Sequence, residues 1–421
     1  MTSPLPSKEP SAHVARKLSK RRAALIDSAS ALFNARGIGG TGLADVAREL
    51  GLKRASLYHY VRDRNELVEQ CYARSCEVTA RDLAQARSAA NGLERLLAFV
   101  TAALEPERRP LAVLSELAAL PEDIQETLCA ADARNRDALL DFVQQGQADG
   151  SLRAVDPLVA TQCLLGMLAW SQLLPHWQSR VARSADIRRR AASAIIGIFR
   201  QGLAQDPEHR LHCAVRAEQF LPTAHNPFDK DAAAQLKRDS LLATASKLFN
   251  RHGIESTSID RITETLGVTK GSIYHHFEDK ADLVLKCYER TFDLYDAFAE
   301  VALSDSGNGF DAALINAHLN IQAQAGRVSP LMPQAGFEAV PPAHRADFKR
   351  RAAQINRQLA QLLSRGVAEE IGRPCDAPMV THVSAGAFGW IPKWFDGDTD
   401  ANASALADQV CDLLIHGIAR R

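Results

Sequence analysis

The chain has no excess of either charge: 50 lysines and arginines stand against 50 aspartates and glutamates. Bulk electrostatics therefore names no partner, and only the placement of charge can. There is no CxxC pair and no Cys/His ligand cluster. The eight cysteines stand apart at 71, 76, 129, 163, 213, 287, 375 and 411, a pattern of buried thiols in a reducing cytosol rather than a disulfide framework. No phosphate-cradling glycine loop, HExxH helix or nucleophile elbow is present, so the sequence lacks the parts of an enzyme and implies neither cofactor nor metal. The first residues lack an apolar core of the secretory type, and no signal peptide is expected. The one long uncharged run, PLVATQCLLGMLAWSQLLPHWQS (157–179), is broken by Thr, Gln, His and a proline, which reads as a buried helix and not a membrane span. Strand signals are scarce too: no stretch sustains β-branched alternation between hairpin turns.

What is present is written twice. SLYHY (56–60) returns as SIYHHF (272–277), 216 residues on. ASALFNARGI (29–38) matches ASKLFNRHGI (245–254) at the same offset, and VARELGLKRASLYHYVRDRNELVEQCYAR (46–74) matches ITETLGVTKGSIYHHFEDKADLVLKCYER (262–290) without a gap. Fainter echoes follow. Gly166 and Trp170 face Gly386 and Trp390 at an offset of 220, and FRQGLA (199–204) faces LIHGIA (414–419) at 215. An internal repeat this long is a duplicated domain pair, consistent with roughly 100–200 residues per domain. Apolar residues recur at helical spacing, as in Leu25, Ala29, Leu32 and Phe33 or Leu241, Ala245, Leu248 and Phe249, so the expected class is all-α.

Within each copy the spacing predicts three short helices. In the second, Thr257 is positioned to cap a helix that Gly267 ends; Thr269 caps KGSIYHHF, and Asp279 caps the next. The first repeats the plan with Thr41, Gly51 and Asp63. Two helices joined by a tight glycine turn make a helix-turn-helix. Its second helix turns Lys53, Arg54, Ser56 and His59 outward in one copy, and Thr269, Lys270, Ser272 and His275 in the other. Such a helix can enter a major groove, with Tyr, His and the following Arg64 or Lys280 suited to phosphate oxygens. Leu57 and Ile273 are expected to face inward.

TSIDRITETLGVTKGSIYHHFEDKADLV (257–284) and, more loosely, TGLADVARELGLKRASLYHYVRDRNELV (41–68) resemble the tetracycline-repressor (TetR) family of bacterial transcriptional regulators. The resemblance implies a three-helix DNA-binding head followed by a helical domain that binds a small ligand and dimerises. It implies DNA contacts at Thr41, Lys53, Ser56, Tyr58, His59 and Arg64, and at Thr257, Thr269, Lys270, Ser272, Tyr274, His275 and Lys280. It also implies a cytoplasmic, nucleoid-associated protein and double-stranded operator DNA as partner. The chain departs from the pattern at Arg54-Ala55 and at Tyr60-Val61, and in carrying two units where one is usual.

The expected organisation is a tail (1–15), a first head (16–72), a first regulatory domain (73–204), a linker (205–229), a second head (230–290) and a second regulatory domain (291–421). Two fused units can pair with each other as a pseudo-two-fold dimer, and their different recognition helices would then read an asymmetric operator. Two chains presenting four heads, and a ligand-sensing or scaffold protein that has lost operator binding, are the alternatives. Residues 1–72 carry a net charge of +5 and residues 230–290 a net +1, so the first head is the better electrostatic anchor. RKLSKRR (16–22) reads equally as a basic arm or as a solvated helical turn. Aromatics on late helices (Trp170, Trp177, Trp390 and Trp394, with Phe337 in a proline-broken stretch) suit a pocket for an apolar or aromatic effector, and suit core packing at least as well.

Overall fold

The computed structural model describes residues 12–173, 184–223, 230–333, 337, 340–397 and 399–420, the side chains of 12–18 and 184 excepted. Among these residues there is no strand, only two isolated bridges. The first unit comprises α1 (Ala12–Arg36), α2 (Leu43–Glu49), α3 (Arg54–Leu57), α4 (Arg64–Ala86), α5 (Gly92–Ala103), α6 (Glu122–Asp149), α7 (Pro157–Leu173) and α8 (Ser184–Gln201). The second repeats it as α9 (Lys230–His252), α10 (Ile259–Leu266), α11 (Lys270–Tyr274), α12 (Lys280–Ser304), α13 (Gly309–Ala325), α14 (Pro342–Ala368), α15 (Ala377–Gly389) and α16 (Asp400–His416).

Each head closes on the residues whose spacing marked it. Leu25, Ala29 and Phe33 of α1 bury against Val46, Leu57, Leu67 and Val68, and Leu241, Ala245 and Phe249 of α9 do the same against Ile262, Ile273 and Val284. Gly51 and Gly267 both sit at φ +64°, where an L side chain would be strained, and turn the chain into the recognition helix. Thr269, Asp63 and Asp279 cap as expected, accepting from the amides of Ser272, Glu66 and Asp282.

Thr41 and Thr257 do not cap. The N-cap in the second head is Ser258, which accepts from Arg261 N at 3.1 Å. In the first it is Gly42, whose own N–H is taken by Asp45 at 2.9 Å. Both threonines sit one residue earlier with side chains buried, donating to the carbonyls of Leu32 and Leu248 at 3.3 Å. The RKLSKRR run lies inside the 25-residue α1, as the helical reading had it.

The two units clasp each other through α7, α8, α15 and α16, and the contact is two-fold. Gly166 meets Gly386, its own repeat counterpart; a Cβ on either would lie 2.3 Å from the other's carbonyl oxygen. Gly202 likewise meets Gly417. Leu152 bridges Ala419 while Ala204 bridges Gly372, and Arg153 N donates to Ile418 O at 2.9 Å while Arg373 N donates to Leu203 O at 2.7 Å. Each of these contacts has its mirror with the units exchanged, which defines an isologous interface. One apolar core therefore runs through both regulatory domains, from Leu96 and Phe142 to Val383 and Leu414. The segment after α8 packs along the second unit instead of hanging free: Ala217 is buried, its N–H donates to Gln322, and Phe220 lies edge-on to Phe298 at 4.9 Å.

Candidate nucleic-acid interface

The same two-fold relates the heads. Gly39 packs against Glu255, again one repeat position meeting itself, at the turns that follow α1 and α9. Lys53, Arg54, Tyr58 and His59 are exposed and Ser56 is half-buried; Thr269, Lys270, Ser272, Tyr274 and His275 are all exposed. Tyr58 and Tyr274 are 49% and 52% exposed, a large share of apolar surface left open to solvent among the described residues. Leu57 and Ile273 beneath them are buried, which fixes how each short helix projects.

Arg64 and Lys280 stand at the start of the helix that follows. Each leans on the turn that ends the first helix of its head, Arg64 on Ile38 O at 3.4 Å and Lys280 on Glu255 O at 3.3 Å. Partial burial lowers the Lys280 ammonium below its usual range. Thr41 and Thr257, buried under α1 and α9, do not join this surface. The heads also differ in charge. Lys270 is paired with Asp260 at 2.7 Å, whereas Arg54 at the same place faces a unit whose counterpart of Asp260 is Ala44.

Behind each head lies a cavity in the regulatory domain. The first-unit cavity holds about 380 Å³ among α4, α5, α6 and α7, and the second-unit cavity about 80 Å³ among the equivalent helices. The tryptophans cross between units: Trp170 lines the second-unit cavity, while Trp390 and Trp394 line the first. They do so because α7 and α15 cross at the Gly166–Gly386 contact and carry these rings over the axis. Phe337 belongs to the core, edge-on to Tyr288 at 5.4 Å, and lines neither cavity; Trp177 lies outside the described residues.

Both cavities are wired to their heads. Asn34 near the end of α1 donates to Leu111 O at 2.8 Å and accepts from Val113 N at 2.9 Å, and Val113 lines the first cavity. Asn250 makes the same pair of bonds to Pro330 O and Met332 N, both at 2.9 Å, and Met332 lines the second. A further link runs between the units. Glu116 accepts from Ile38 N at 2.6 Å in the first head, while Lys393 of the second unit donates to Ser115 O at 2.5 Å and to Arg251 O at 2.9 Å. At the offset of 220, the counterpart of Lys393 in the repeat is Leu173. Burial pushes the Glu116 carboxyl up and lowers the Lys393 ammonium to about 8. Sequence reasoning missed both residues, since neither belongs to a motif.

A pair of helix-turn-helix heads, projecting from a two-fold helical core with a cavity behind each, is the architecture of a helix-turn-helix DNA-binding protein. The model of the bacterial regulatory proteins, tetR family, matches residues 25–71 and again 241–287; the tetracyclin repressor-like C-terminal domain matches 87–177 and 312–418. These matches cover well over half the chain, which belongs to the tetR family, a family of transcriptional regulators and not of enzymes. The HTH-type transcriptional regulator AcrR of Shigella flexneri is 45% identical over 56 residues, 13% of this chain and 26% of that one. An HTH-type regulator of Staphylococcus aureus is 37% identical over 62 residues, 15% and 34% of the two chains. The chain thus spans about a quarter to a third of the length of these relatives. Among solved structures, AibR in complex with isovaleryl coenzyme A and operator DNA aligns at 22% identity and a TM-score of 0.35, over 42% of this chain and 97% of that one. PfmR from Thermus thermophilus aligns at 24% identity and 0.34, over 41% and 96%. No helix among the described residues is long and apolar enough to cross a membrane.

Proposed function

We propose that the chain is a sequence-specific, ligand-responsive repressor that acts at the bacterial nucleoid, with two different recognition helices reading one asymmetric operator. The observation that carries this reading is the two-fold contact closed within a single polypeptide between heads that are not identical. A homodimer offers the same helix to both half-sites and so selects a palindrome. Here KRASLYHY is offered to one half-site and TKGSIYHH to the other. Lys53, Arg54, Ser56, Tyr58 and His59 act on the first, with Arg64 on phosphate. Thr269, Lys270, Ser272, Tyr274 and His275 act on the second, with Lys280 on phosphate.

A ligand changes DNA affinity only by favouring one head arrangement over another. The asparagine links supply a route, because the cavity-lining segments of Val113 and Met332 are bonded directly to α1 and α9. The reading is tested by footprinting on the DNA beside the gene, followed by two synthetic palindromes, each built from one half-site doubled. The natural asymmetric site should bind more tightly than either palindrome. Equal binding to one palindrome, with two chains on it, would overturn the proposal.

A further inference from the structure

Duplication lets the two cavities be compared residue by residue, since each position of one has a counterpart in the other. On α4 and α12, Cys76 and Thr79 correspond to Phe292 and Tyr295; on α7 and α15, Leu168 corresponds to Phe388. The second cavity is thus filled by its own rings, which accounts for its volume of about 80 Å³ against about 380 Å³. The chemistry of the walls has diverged as well. Asp132, Asn135 and Arg136 on α6 face the first cavity, and their counterparts on α14 are Ala352, Ile355 and Asn356. Only the first approaches the size of drug-sized ligand sites, roughly 300–1,000 Å³.

We propose that effector binding belongs to the first unit alone, one molecule per chain, and that the effector is an apolar or aromatic body bearing a single acidic group. The inference rests on the ligand-responsive reading above and names the ligand class of that site. Its apolar wall is made by Phe99, Leu165, Leu168 and Trp390. The polar wall is rich in donors. Arg108 Nε and Trp394 Nε1 are buried N–H groups that meet no acceptor among the described residues, and both residues line the cavity with Arg136. Unmet buried donors are costly unless something accepts from them, and an anionic oxygen accepts most strongly.

The carboxylates in the wall do not cancel this bias. Asp82 is already held by Arg108 at 2.7 Å, and burial pushes the Asp132 carboxyl up against the opposing pull of Arg136. His252, which reaches the cavity from α9, is pushed down to about 4 by burial and stays neutral. An acid bound here would touch the second head through Arg251 and His252 and the first through Val113, so a single ligand reaches both heads.

The test titrates the full chain with two fluorescent probes that share one aromatic body: anilinonaphthalene sulfonate, which carries an anion, and N-phenylnaphthylamine, which does not. The sulfonate should saturate at one per chain and bind more tightly than the amine. Arg136→Asn, which installs the residue of the second unit, should weaken the sulfonate about tenfold, the loss of one charge-assisted bond, and leave the amine unchanged. Thr79→Tyr should close the cavity to both probes, and circular dichroism would verify that this variant folds; Arg136→Asn decides the matter if it does not. Two equivalent sites per chain, equal affinity for both probes, or no effect of Arg136→Asn would overturn the inference. No arm uses DNA. A chain that takes up one anion yet ignores its operator would sink the regulator reading and leave this one standing, and operator binding without anion uptake would do the reverse.

Discussion

Gly166 of α7 and Gly386 of α15 touch backbone to backbone, and they are the same residue of the repeat. A side chain at either position would have to displace a carbonyl, not a flexible tip: the nearest atom to a Cβ on Gly166 is Gly386 O, at 2.3 Å. Gly166→Val therefore pushes the two helices apart along the whole seam. The expected loss is about 1–3 kcal/mol, the usual cost of overpacking, read as a lower midpoint in urea unfolding. Because this seam is closed within one polypeptide, light scattering of the parent protein should return the mass of a single chain.

The heads should differ in how they use charge. Lys270 must leave Asp260 before it can reach the duplex, whereas Arg54 has Ala44 where Asp260 would stand. Arg54→Ala should thus cost more affinity than Lys270→Ala, and each should lower the slope of log affinity against log salt by about one. Asp260→Ala should tighten binding by freeing Lys270 and removing a negative charge beside the duplex. Fluorescence anisotropy across a salt series checks all three, and Asp260→Ala weakening the complex would contradict the account.

Asn34 offers a way to separate binding from response. Its side chain holds both the Leu111 carbonyl and the Val113 amide, so Asn34→Ala leaves two backbone groups without their partner. A stability loss of about 1–3 kcal/mol is expected. The sharper outcome concerns coupling: the variant should still bind operator and effector, but the effector should release DNA less completely. Anisotropy with and without effector measures this, and an unchanged response would remove the Leu111–Val113 segment from the route.

The duplication was legible because exposed residues, which packing barely constrains, matched at one fixed offset. The caps at Asp63, Thr269 and Asp279 and the stops at Gly51 and Gly267 followed from local rules. Thr41 and Thr257 were misread because the next residue could cap equally well, and the choice fell to packing: a threonine methyl and hydroxyl fit beneath α1 and α9, and Ser258 does not need to. The crossing of Trp170 and Trp390 had no local signal at all, since it depends on which helices meet across the axis. The contrast between the cavities lay in the sequence at 132, 135 and 136 against 352, 355 and 356, but it carried no meaning until the helices were known to face a void.

Acid should expose one more difference between the units. His382 on α15 is buried in the seam beside Arg190 of α8, and its counterpart in the first unit is Gln162. Burial, with a smaller push from Arg190, lowers its pKa from 6.5 to about 4. The unfolded chain then binds a proton in a range where the folded chain does not, so unfolding is favoured as pH falls. Its contribution is fully present above about 6.5 and disappears as pH drops through about 4, amounting to about 3 kcal/mol across that window. His382→Gln, which restores the residue of the other unit, should leave stability near neutral pH little altered and flatten its decline between pH 6.5 and 4. Urea unfolding of parent and variant at several pH values in that range gives the comparison, with every other titrating group common to both. Parallel curves would mean that His382 titrates alike in the folded and the unfolded chain.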